Sequence, residues 1–200
     1  MSGIIAQNSG KHTGLVKAAG GGGGEWTLIQ TQTASASATI SFTSGLDSTY
    51  DEYCFKFINL HPATDDVKLV FQGSIDGGSN YNVTMTNTYF LAQHDEADSA
   101  TTLTYSSSDD QAQGTAFQRI NESTGADNDQ SVCAEFFLYA PSDTTFVKHF
   151  MSRSTSQFDN VTDTYCAGYF NTTSAINAMQ FKMSSGNIDA GTISLYGIGW

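Results

Sequence analysis

The chain has 200 residues, 39% of them hydrophobic and only 14% charged, with 19 Gly and 2 Pro. That is enough apolar material for one core, and the surplus of uncharged polar residues suits a β-rich chain with many turns rather than a helical one. The net charge is −12; residues 1–24 carry Lys11 and Lys17 and no acid, so the rest holds 6 basic against 20 acidic side chains, a balance that repels nucleic acid and anionic membranes.

Residues 1–24 read as an arm. Two small apolar hooks, "SGII" at 2–5 and "TGLV" at 13–16, precede the five glycines Gly20–Gly24, which read as a hinge. The arm is too poor in apolar residues to fold alone. From residue 25 the period changes to two. "WTLIQTQ" (26–32) and "SATISFT" (37–43) alternate in part, and "YDEYCFKFINLH" (50–61) places Tyr53, Phe55 and Phe57 on one face. "VKLVFQGSIDGGSNYNVTMT" (67–86) reads as a hairpin about Asp76-Gly77-Gly78, whose glycines supply positive φ. Residues 92–114 read as loop with one short strand near Leu103, and "TAFQRIN" (115–121) as a strand.

"SVCAEFFLYA" (131–140) is apolar on both faces, which places it centrally in a sheet. "FVKHFMSRS" (146–154), "TDTYCAGYF" (162–170), "INAMQFKM" (176–183) and "GTISLYGIGW" (191–200) complete roughly eleven strands. The pattern predicts an all-β fold, a single antiparallel, jelly-roll-like β-sandwich over 25–200, preceded by the extended arm.

Three cysteines, Cys54, Cys133 and Cys166, lie inside strand-like runs without framework spacing. The reading is three buried free thiols in a protein made in a reducing cytoplasm. No nucleophile elbow, phosphate loop or zinc-protease motif occurs, and His12, His61, His94 and His149 stand apart from any Ser or Cys motif. No catalytic, cofactor or metal residues are assigned: the acids at Asp65–Asp66, at Asp95, Glu96 and Asp98, and at Asp127 and Asp129 complete no calcium loop and read as solvated. Exposed aromatics on a sandwich keep a glycan-binding role open beside plain core packing.

The C-terminal "INAMQFKMSSGNIDAGTISLYGIGW" resembles the closing signature of small structural proteins of tailed bacteriophages of aquatic bacteria. Ser184–Ile188 and Leu195–Gly197 carry the match. "EWTLIQTQTASASATISFTSGLDSTYDEYCFKF", "GSIDGGSNY", "YAPSDTTFVKHF" and the leader-like "SGIIAQNSGKHTGLV" are similar to the same proteins. The resemblance implies a virion component, made in the host bacterial cytoplasm. It would be a capsid decoration or cement protein or a tail-associated adaptor, with the receptor-binding head of a fibre or spike that recognises host glycan as the alternative. Its partners would be other virion proteins, major capsid or tail, and copies of itself, as a trimer. Ile4, Ile5, Leu15 and Val16 would then dock the arm by filling pockets or pairing with a sheet edge, helped by Lys11 and Lys17.

Overall fold

The computed structural model describes residues 24–199. The arm, with its docking residues Ile4, Ile5, Lys11, Leu15, Val16 and Lys17, and the hinge up to Gly23 lie outside them. No helix occurs among the described residues, and thirteen strands do. They are β1 (Trp26–Thr33), β2 (Ile40–Phe42), β3 (Glu52–Pro62), β4 (Leu69–Ser74), β5 (Met85–Asp95), β6 (Thr101–Tyr105) and β7 (Gln111–Gly114). Then come β8 (Gln118–Arg119), β9 (Val132–Tyr139), β10 (Lys148–Gln157), β11 (Asn160–Phe170), β12 (Ala178–Met183) and β13 (Ile188–Ile198).

The expected antiparallel sandwich is there, but its sheets are unequal. The long sheet runs β1-β13-β3-β9-β10-β11-β5-β6, with β7 also on β5; the short sheet runs β2-β12-β4-β8. The chain crosses repeatedly between them, as β1, β3 and β5 belong to the long sheet and β2 and β4 to the short one. The run 67–86 is therefore not a hairpin. Gly77 and Gly78 do take positive φ, but the turn hands the chain from β4 in the short sheet to β5 in the long one. Asp76 organises it, accepting from Ser74 Oγ (2.7 Å), Asn80 N (2.9 Å) and Asn80 Nδ2 (2.7 Å).

The core sits where the short sheet covers β13, β3, β9 and β10. Alternation on β3 sends Tyr53, Phe55 and Phe57 inward, all fully buried. On β9, central as expected, Phe136 meets Phe55, Phe71, Phe150 and Phe181, with ring centroids 4.6–6.2 Å apart. Fully burying each such ring stabilises the fold by about 1.5–3 kcal/mol.

The other half of the long sheet has a different interior. Beyond Lys148 and Phe150 the inward side of β10 is Ser152, Ser154 and Ser156, and that of β11 begins with Thr162 and Thr164. Residues 106–125 cross this half. Ser154 Oγ donates to the Ile120 carbonyl at 2.9 Å, and Arg119 pairs with Asp109 and Glu122 beneath the segment. "TAFQRIN" forms only the two-residue β8, because side chains do the work of a ladder. Gln72 Nε2 donates to the carbonyls of Thr115 and Ala116, and Asn121 Oδ1 accepts from Leu69 N at 2.6 Å.

The thiols are free, but only two are buried. Cys166 faces the interior and Cys54 the outer side of the long sheet, so no bond can join them. Cys133 is half-exposed, because its strand turns it outward to the bulge at Asn59, whose amide donates to Sγ at 3.3 Å.

Candidate functional site

The second face of the long sheet has no sheet over it among the described residues. Trp26, Leu28, Ile58, Phe90, Leu103, Tyr105, Met151 and Val161 are all exposed large apolar side chains, and all belong to strands of this sheet. Register aligns four of them, Leu28, Met151, Phe90 and Tyr105, into two rows across the strands. One row runs Leu28, Tyr196, Cys54, Phe137, Met151, Ala167 and Thr88. Beside it runs Thr31, Ser194, Lys56, Glu135, Arg153, Tyr165, Phe90 and Tyr105. At the usual strand spacing the second row spans about 33 Å.

Specific interactions join four of the neighbouring pairs in this row. Thr31 and Ser194 share a hydroxyl hydrogen bond of 2.8 Å. Lys56 pairs with Glu135. Arg153 lies over the Tyr165 ring, 5.1 Å from its centroid, and grips Asp163 through Nε (3.0 Å) and Nη2 (2.8 Å). That double hydrogen bond raises the guanidinium pKa further above its ordinary value. Tyr165 and Phe90 stack almost parallel, 4° apart with centroids 4.9 Å apart. Tyr105 closes the row with its hydroxyl on Asp110.

At the centre the face is concave. The β3–β9 ladder shifts register between Phe57 and Leu60, and Asn59 in the bulge takes positive φ. Bulges bend a strand and re-aim its side chains. A groove of about 590 Å³ opens there, lined by Lys56, Ile58, Glu135, Arg153, Val161 and Asp163 among others. At one end Trp26 packs on Tyr196 and Phe137 with Lys56 over its ring, roofing Cys54, which is wholly buried on an otherwise open face. Burial pushes the Cys54 thiol up to about 12.

None of the arm residues assigned to docking is placed by the structure, since they lie outside the described residues. The groove residues carry no motif. The signal that points to them is an apolar strand whose second face is also rich: in "SVCAEFFLY" and "TDTYCAGYF", aromatics and charges share the positions that alternate with the core.

Of the C-terminal signature residues, Ser184–Ile188 lie at a seam between the sheets and Leu195–Gly197 in β13. Ser184 exchanges hydrogen bonds with Lys68, Asn187 Nδ2 donates to the Ala36 carbonyl at 3.0 Å, and Ile188 is buried and bridged to Ser37. Gly186 has a φ of +70° and lies so close to Thr64 that a Cβ would collide. Leu195 enters the core, Tyr196 meets Trp26, and Gly197 leaves room for the Tyr50 ring.

No family model and no curated protein matches the chain. Among solved structures, the VP2 subviral particle of infectious bursal disease virus aligns at 10% identity with a TM-score of 0.16, over 88% of this chain and 41% of that one. A likeness of that size carries no information about function.

Proposed function

We propose that the protein is a non-enzymatic structural component of a tailed-bacteriophage virion. It acts as a capsid decoration or cement protein, or a compact tail-associated adaptor, attached to other virion proteins by residues 1–19. The observation that carries this reading is where the phage-like residues sit. Ser184–Ile188 and Leu195–Gly197 build the seam and the closing strand, so the resemblance concerns the body of the fold and not an incidental loop. The arm's point of departure supports it as well. Gly24 bonds to Gly199 beside the edge strand β1, and the described core runs from Ala34 to Ile198. Several arms from one oligomer, a trimer in this reading, would add weak contacts into firm attachment.

The test uses particles that lack the protein. They are incubated with the full chain or with a chain lacking residues 1–19, and occupancy is measured. The truncated chain is expected to fold and to stay off the particle; replacing Ile4, Ile5, Leu15 and Val16 by Ser should do nearly the same. Wild-type occupancy by the truncated chain would move attachment to the sandwich. The groove favours a second reading, a glycan-recognising head of a fibre or spike, and copy number per particle separates capsid from tail.

A further inference from the structure

We propose that in the free chain the arm folds back on its own body: Leu15 and Val16 seat in a pocket at one end of the long sheet, and Lys17 pairs with Glu52. The pocket, of about 520 Å³, opens where the connection from β9 to β10 leaves the sheet, and Tyr139, Asp143, Phe146, Val147 and His149 line it. The Phe146 ring is 70% exposed, and Tyr139 reaches the equally open Met151 through its hydroxyl. Such an apolar lining suits aliphatic side chains.

The place where the chain leaves the body selects the occupant. Gly24 bonds to Gly199 at one end of the row Trp26, Ile198, Glu52 and Tyr139, paired neighbours on β1, β13, β3 and β9. At the usual strand spacing Glu52 lies about 10 Å from β1, Tyr139 about 14 Å and the strand of His149 about 19 Å. Lys17 stands seven residues before Gly24 and Leu15 nine. Those lengths of chain reach about 23 Å and about 30 Å when extended. The order agrees too. Going back along the arm from Gly24, Lys17 comes before Val16 and Leu15; crossing the strands from β1, Glu52 comes before the pocket.

Charge agrees with reach. Asp51, Glu52 and Asp143 make this end acidic, while Lys148 is buried there on the carbonyls of Phe146 and Thr172. Glu52 is half-buried, which raises its carboxyl pKa, and among the described residues no cation forms an ion pair with it. The arm brings two lysines and no acid. A second body, with 6 basic against 20 acidic side chains, would bring repulsion instead. Ile4 and Ile5 are left outside the contact. Attachment to a particle, a consequence that rests on the proposed function, would then begin with them and draw Leu15 and Val16 off the pocket.

The experiment is limited trypsinolysis of the isolated full chain, without particles, so its outcome is separate from attachment. The arm offers Lys17 inside the contact and Lys11 outside it. Cleavage after Lys17 is expected to be at least about tenfold slower than in a free peptide of residues 1–24, because it follows the fraction of arm that is off the body. Lys11 should be protected less. Phe146→Ser, at an exposed ring, should restore most of the Lys17 rate, as should replacing Leu15 and Val16 together by Ser. Glu52→Gln should raise that rate about two- to fivefold. Peptide-like cleavage at Lys17 in the wild type overturns the proposal, and so does protection that survives both Phe146→Ser and Glu52→Gln. Protection that is lost on dilution also overturns it, since the arm would then sit on a second copy.

Discussion

The two faces of the long sheet are built from the same strands and are both rich in aromatics, yet they do opposite work. On the inner face Phe55, Phe136 and Phe150 meet other rings and aliphatic chains, and the buried charge beside them, Lys148 at the start of β10, is held on the carbonyls of Phe146 and Thr172. On the outer face Tyr165 and Phe90 continue in register the row of Lys56, Glu135 and Arg153, and Phe137 lies in the next row beside Glu135. Aromatic content therefore does not separate a core from a site. What separates them is what lies opposite across the strands: rings facing apolar partners exclude water, and rings facing charges remain wet and available.

The sharpest way to break this comparison is a matched pair on β9. Phe136→Ala should cost about 3–5 kcal/mol in urea unfolding, because it empties the centre of the ring cluster. Phe137→Ala, its neighbour on the other face, should cost about 0.5–1.5 kcal/mol through lost contact with Trp26. Equal losses would mean that both faces are core. Between these lies Gly168→Ala on β11, expected to cost about 1–3 kcal/mol in the same assay, since a Cβ there would strike the Thr86 carbonyl and Asn87.

Acid should act on the loops rather than on either face. Asp47, Asp66, Asp76, Asp95 and Asp143 all have carboxyl groups held below their ordinary range, chiefly by hydrogen bonds from nearby side chains or backbone amides, Asp76 at about 2. A depressed folded pKa contributes stability that is complete above the unfolded value and lost as pH falls through the folded one. Thermal midpoints should thus hold steady from pH 7 to about 5 and fall below about 4. Asp76→Asn should flatten part of that decline; an unchanged slope would remove Asp76 from the account.

The smallest effect is one of labelling, and it reads the two faces directly. Native protein should give one thiol to a disulfide reagent, Cys133, and three after unfolding. Trp26→Ala should expose Cys54 as a second, while Cys166, inside and also raised to about 12, stays silent. Reaction of Cys166 before Cys54 would reverse the assignment of faces.

How much was legible depended on range. Period-two alternation sufficed for most strands, for Tyr53, Phe55 and Phe57 as core, and for β9 as a central strand, because side-chain direction along a strand is a local property; the end of β5 and all of β7 fall in the stretch 92–114 that reads as loop. Sheet membership was not legible. Asp76-Gly77-Gly78 has the chemistry of a hairpin turn and takes positive φ, yet it joins two sheets, since the same turn serves either purpose and only the packing of Phe71 against Phe136 selects one. "TAFQRIN" looked like a full strand until Gln72 and Asn121 supplied its hydrogen bonds from the side. The groove was the least legible feature. Lys56, Glu135, Arg153 and Tyr165 come from four segments spread over more than a hundred residues, and what joins them is antiparallel register, which is decided by which strands pair and where one bulge falls. Composition determined that the chain would be an acidic all-β sandwich; the tertiary structure alone decided which residues face one another across it, because register is a relation between distant strands and leaves no local pattern to read.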